Sequence, residues 1–155
     1  MREWNWLRWW WPAFLWAAVI ASFSTDAFSA EHTSRLILPF LHWLLPSLRG
    51  KTLLMLHHHI RKAAHVGEFF VLSLFLVRGI RAGRRGWNIA WALTAVAIAA
   101  GWAGLDELHQ AFVPSRGPSM RDVLIDVTGA VLAQIIFAWV IRLRENTPPA
   151  AQFSR

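Results

Sequence analysis

The chain has no cysteine and no tyrosine among its 155 residues, and only nine acidic side chains stand against sixteen lysines and arginines. Without cysteine there is no disulfide framework, no thiolate metal site and no cysteine nucleophile, and redox chemistry leaves no trace of a compartment. Charge of either sign is scarce. Charged residues make up 16% of the chain against 55% hydrophobic, too few to cover the surface of a soluble domain of this length. Repeats and low-complexity tracts are missing as well, apart from the segment after Glu145, where Pro148, Pro149, Ala150 and Ala151 make 146–155 read as a disordered tail. A formal charge of +7 would suit nucleic acid in a soluble protein. Here the arginines sit at the ends of apolar segments, which points to anionic lipid and topology signalling, with no nucleic acid as partner.

In place of charge the chain carries eleven tryptophans and ten phenylalanines, with Trp at the ends of apolar runs in the manner of an aromatic belt at the lipid headgroups. A hydrocarbon core about 30 Å thick needs about 20 helical residues. Four runs approach that length, at approximately 9–25, 63–78, 87–106 and 122–141. Backbone groups in lipid must be satisfied internally, and no alternating strand pattern is present, so helices are the remaining solution. The expected fold is an all-α membrane protein, a bundle of about four transmembrane helices in one domain over 1–145.

Leu36 to Leu48 is apolar too, but it reaches only about 20 Å as a helix and is interrupted by Pro39 and Pro46. It reads as an interfacial or re-entrant helix. Joined to Thr52–Leu56 as a fifth span, it would bury Arg49, Gly50 and Lys51 at depth, at heavy cost. The N-terminus, with a basic start, an apolar centre and the small residues Ala27 and Ser29, also resembles a signal peptide. The reading carried forward is a retained first span.

Short loops rich in Lys and Arg stay in the cytoplasm. Arg2 and Arg8 precede the first span, Arg78, Arg81, Arg84 and Arg85 crowd the connection between the second and third, and Arg142 and Arg144 follow the fourth. Both termini are therefore expected inside, with the segments 24–62 and 109–121 outside.

Every ionisable residue within the spans then falls at the outer end. Arg61, His65, Glu68 and Leu72 share one helix face at i, i+4, i+7 spacing, and Asp122, Asp126 and Gly129 share another, with Asp106, His109 and Gln110 matching them on the third helix. A charge at mid-membrane costs about 2.5–3.5 kcal/mol, so His65, Glu68, Asp106, Glu107 and Asp126 are expected to face each other rather than lipid. Arg61, Lys62, Arg116 and Arg121 offer basic partners, and arginine can hold carboxylate or phosphate through two parallel hydrogen bonds.

These residues carry a resemblance. Arg61-Lys62-Ala63-Ala64-His65 with Glu68-Phe69, Asp106-Glu107-Leu108-His109-Gln110, and Pro114-Ser115-Arg116 followed by Arg121-Asp122-Val123-Leu124-Ile125-Asp126 and Gly129 look like the VanZ family. The resemblance implies a bacterial multi-pass membrane protein whose namesake is linked to resistance against the glycopeptide teicoplanin, with no reaction attached to the family as a whole. It singles out Arg61, Lys62, His65, Glu68, Asp106, Glu107, His109, Gln110, Arg116, Asp122 and Asp126, while Phe69 stands where many members carry tyrosine.

Each residue also has a plainer reading. His65 with Glu68 can be an i, i+3 pair that pins helices together. Arg116 and Arg121 can be loop charges on lipid phosphate. Asp122 can cap the fourth helix, and Gly129 with Ala130 can serve close packing. His57, His58 and His59 point in different directions on a helix and read as a solvated segment. Three function classes follow: a protein binding an anionic lipid or lipid-linked cell-envelope precursor at the outer leaflet, a membrane-embedded hydrolase, or a structural partner subunit. In the hydrolase, His65, Glu68, Asp106, His109 and Asp126 would be acid–base groups or metal ligands. Ser115-Arg116 resembles the Ser-Arg motif of phosphohistidine lipid phosphatases, but Asp122 occupies the place of the nucleophilic His. Binding ranks above catalysis, and the pattern specifies no cofactor and no oligomeric state.

Overall fold

The computed structural model describes residues 6–113, 117 and 119–146, with Phe28, Ala30 and Glu31 described by backbone alone. The expected tail lies outside the described residues except for Asn146, and so does Arg116. Five α-helices follow one another: α1 (Leu7–Phe23), α2 (Ala30–Leu44), α3 (Gly50–Arg81), α4 (Ile89–Gln110) and α5 (Met120–Asn146), with a 3-10 turn Asp26–Phe28 before α2. Among the described residues there is no strand. Helices α3, α4 and α5 are each long and apolar enough to cross a membrane, and the chain is an all-α membrane protein. At 17 residues α1 reaches about 25 Å, the lower limit of a spanning helix, and it packs along α3.

Helix α3 is much longer than the apolar run it contains. The apolar run begins near residue 63, but the helix begins at Gly50 and continues for 32 residues, about 48 Å, well beyond a hydrocarbon core about 30 Å thick. The polar residues His57, His58, His59, Arg61 and Lys62 bound the hydrophobic run without ending the helix, since neither Pro nor Gly interrupts residues 51–66. Residues 45–49 are non-helical, so Leu36–Leu44 and Thr52–Leu56 belong to separate helices and no joined fifth span forms. Ser29 caps α2 by accepting from the His32 N–H at 3.4 Å, and the helix runs through Pro39. Leu41 of α2 is buried, as are Leu53 and His57 of α3, on which α2 packs. The stripe Leu36, Phe40, Trp43 and Leu44 is exposed, with Leu36 at 79% and Trp43 at 75%. An apolar helix stripe turned away from its own bundle suits the interfacial placement expected for this segment.

The bundle core lies where α3, α4 and α5 meet and α1 joins α3. On α4 the inward seam is Ala92, Ala95, Ala99 and Ala103, continued by Asp106 and Gln110, every one buried. The seam of α5 is Asp126, Gly129, Ala130, Ala133 and Gln134. Small side chains let backbones approach, and at Gly129 the approach is so close that an added Cβ would run into the Val66 carbonyl of α3. Larger side chains come from the other partners, with Phe69, Leu72, Leu76 and Val77 of α3 and Ile20 of α1 filling the space that the alanines leave. One polar contact sits among them. Gln134 Nε2 donates to Ser73 Oγ at 2.8 Å, and Ser73 Oγ donates to the Ala130 carbonyl at 3.0 Å, tying α5 to α3 deep in the bundle.

The two ends of the bundle differ in chemistry. At one end Arg8 and Arg78 lie over Trp9, Arg81 over Phe137, Arg84 over Trp91 and Arg142 over Trp87, with guanidinium-to-ring distances of 4.5–5.8 Å. The α3–α4 connection at this end turns through Ala82 and Gly83 in left-handed conformations, and Gly83 leaves room for the Trp9 ring. Apart from Glu145 beside Gly86, the acidic and imidazole side chains of the described residues gather at the other end.

Candidate functional site

Helices α1, α3, α4 and α5 each bring a polar segment to this second end. On α3 the spacing of Arg61, His65 and Glu68 puts them on one face, and together with Phe23 of α1 and Ser24 just after it, Thr33 and Ile37 from α2, and Ile60 and Ala64 they line a cavity of about 280 Å³. Arg61 Nη1 donates to Thr33 Oγ1 at 3.0 Å, fixing the guanidinium between α2 and α3. Trp16 Nε1 donates to the Glu68 carbonyl at 2.9 Å and ties α1 to the same stretch.

Behind the cavity wall, His65 Nδ1 faces Asp126 Oδ1 at 3.4 Å. Asp126 is 1% exposed, and neither of its carboxylate oxygens has a hydrogen-bond donor among the described residues. A buried carboxylate in that state is costly unless a cation or a proton answers it, and the His65 ring is the group placed to do so. Glu68 and Asp106 lie within electrostatic reach of the same imidazole. With Nδ1 turned to Asp126, Nε2 is the ring nitrogen left for the cavity.

A second network closes the bundle beside this pair. Ser24 Oγ donates to Asp106 Oδ1, and Gln110 Nε2 donates to Asp106 Oδ2 at 2.8 Å and to Ser24 Oγ at 3.3 Å. All three residues are buried, so Asp106 is held by two donors and joins the end of α1 to α4. Glu107 accepts from the Ser119 backbone N–H at 2.6 Å and so holds the start of α5. Lys62 Nζ reaches Asp122 Oδ1 at 3.4 Å, a half-exposed pair between α3 and α5. Asp122 lies within the first turn of α5 and not at its cap, because the helix starts at Met120.

The residues expected to converge therefore divide. Arg61, His65 and Glu68 share the cavity, and Asp126 backs it. Asp106 and Gln110 form the adjoining network, and Glu107, Lys62 and Asp122 tie elements together. His109 and Arg121 are exposed and join neither group. Among the described residues no three of His, Asp and Glu converge closely enough to hold a metal ion, so His65, Glu68, Asp106, His109 and Asp126 do not form a ligand set there. The three adjacent histidines also separate: His58 and His59 are exposed, whereas His57 is buried beneath α2.

Ser24, Thr33, Ser73 and Gln134 escape a reading of the sequence. Ser24 looks like the break after an apolar run, and nothing local announces a partner 82 residues away. Gln134, alone in an apolar span, was the one available signal.

The polar face of α3, the seam of α4 ending in Asp106 and Gln110, and Asp126 on α5 occur in one arrangement, and the model of the VanZ/LLP1 family matches residues 9–142. The chain belongs to the VanZ/LLP1 family. The match runs from the start of α1 to near the end of α5, so the VanZ unit includes the cavity, the buried network and the arginine end together. No curated protein and no solved structure matches the chain significantly.

Proposed function

We propose that this VanZ-family protein binds the anionic headgroup of a membrane lipid or lipid-linked cell-envelope precursor in the cavity walled by Arg61, His65 and Glu68, and that it influences susceptibility to teicoplanin through that ligand. The cavity carries the reading. Its walls combine a guanidinium and an imidazole with Phe23, Ile37 and Ile60, a match for a charged head on an apolar stem. His65 Nδ1 faces Asp126, which leaves Nε2 for the bound group, and Thr33 and Ile37 of α2 complete the wall. By the positive-inside rule the Arg78–Arg85 connection belongs in the cytoplasm, which supports an outer-leaflet cavity in an inner membrane with both termini inside.

The test uses membranes holding equal amounts of wild type, Arg61→Gln, Glu68→Gln and Asp126→Asn. Lipid extracted with the purified wild type should contain an anionic lipid that the variants lose, and the variants should lose the change in teicoplanin susceptibility at unchanged abundance. Identical lipid content and susceptibility at unchanged abundance would leave the polar residues a structural role. The His65–Asp126 pair supports a second reading, a hydrolase with His65 as general base, because a carboxylate behind an imidazole orients the ring for proton transfer. Release of a headgroup by pure protein, stopped by Asp126→Asn, separates turnover from binding.

A further inference from the structure

The arginine end holds a second cavity, about 600 Å³, between α4 and α5 and remote from the site proposed above. Ile89, Ala92, Leu93, Val96, Val131, Ile135 and Ala138 make it a long apolar groove. Its mouth is different. Trp87, Trp139 and Arg142 stand there, with the Arg142 guanidinium 5.8 Å from the Trp87 ring centroid. Trp87 Nε1 is buried and has no acceptor among the described residues, although a buried indole N–H ordinarily finds one. The floor is firm, because Gln134, which lines it, is tied through Nε2 to Ser73 of α3.

We propose that this groove is a binding site for an anionic phospholipid of the leaflet at the arginine end, with one acyl chain between α4 and α5 and the phosphate on Arg142. Charge complementarity selects the occupant. A partner helix would cover the apolar walls and leave the exposed guanidinium and the indole N–H unanswered. A phospholipid answers all three: its chain lies along the alanine and valine walls, its phosphate accepts from Arg142, and a phosphate or ester oxygen accepts from Trp87 Nε1. Arg84, over the Trp91 ring at 4.5 Å, adds positive charge at the same end of the bundle. The cavity near Arg61 recognises a headgroup at the opposite end, and the two sites share no residue.

The protein is reconstituted in mixed phosphatidylglycerol and phosphatidylcholine vesicles, released into mild detergent and weighed intact by native mass spectrometry. In the Arg61→Gln background, which removes the guanidinium of the other cavity, the protein should retain one phosphatidylglycerol in preference to phosphatidylcholine. Arg142→Gln should weaken that retention about tenfold, the effect of losing one contact to a charged group. Ala138→Phe, which fills the groove, should abolish it. Trp87→Phe keeps the ring and removes the N–H, and should give an intermediate loss. Arg8→Gln, at the same end but outside the groove, should retain the lipid. Arg142 is exposed, so its replacement leaves the fold intact and its result stands if Ala138→Phe unfolds. Equal retention of both lipids, or retention unchanged in Arg142→Gln, overturns the proposal, and a dimer mass lost in Ala138→Phe assigns the groove to a second copy of the chain. Arg61→Gln leaves this retention untouched, so failure here is distinct from failure at the other site.

Discussion

At the scale of single residues, two positions outside the charged motifs carry much of the structure. Gly129 lets α5 lie against the Val66 carbonyl, and the obstacle to a larger side chain is backbone, which cannot swing aside. Gly129→Ala should therefore destabilise the bundle by about 1–3 kcal/mol, read as a lowered midpoint in thermal unfolding in detergent. Ser24 supplies one of the two donors that hold buried Asp106. Ser24→Ala should cost about 1–3 kcal/mol in the same measurement, because the carboxylate keeps its burial and loses a donor. The first of these roles was legible, since Gly129 follows Asp126 on one helix face and small residues mark close packing. The second was not. Hydrogen bonds that join α1 to α4 depend on where two distant helix ends meet, and hydrophobic periodicity carries no information on that.

At the scale of helices, α4 and α5 nearly coincide with the hydrophobic segments legible in the sequence at 87–106 and 122–141. Helix α3 instead begins well before its hydrophobic segment, because helix propensity continues through His57, Arg61 and Lys62 where hydrophobicity has stopped. That extension gives α2 something to pack on and gives the cavity its outer wall. The apolar stripe of α2 has a direct test, helped by the absence of native cysteine. Single cysteines at Leu36 and Trp43, carrying a spin label, should be relaxed by oxygen more than by a water-soluble nickel complex, and a label at His42 should show a larger share of the nickel effect. Equal nickel access at all three positions would place α2 in water.

At the scale of the whole molecule, the chain is polarised: guanidinium–aromatic contacts at one end, carboxylates and imidazole at the other. The sequence conveyed this polarity because helices of an up-and-down bundle return each charged segment to one of two ends. A membrane-impermeant thiol reagent applied to intact cells should label a single cysteine at Ser119 and spare one at Gly86. Reversal of that pattern would move the Arg61 cavity to the cytoplasmic leaflet. The alanine seam of α4 has a consequence for heredity. Where Ala95, Ala99 and Ala103 meet their neighbours with no exposed surface at all, even valine has nowhere to go, whereas Leu93, Ile98 and Leu105 on the opposite side are largely exposed. A saturation library scored for protein abundance should therefore find the least dispensable codons of this helix to be those for its smallest and chemically plainest residues.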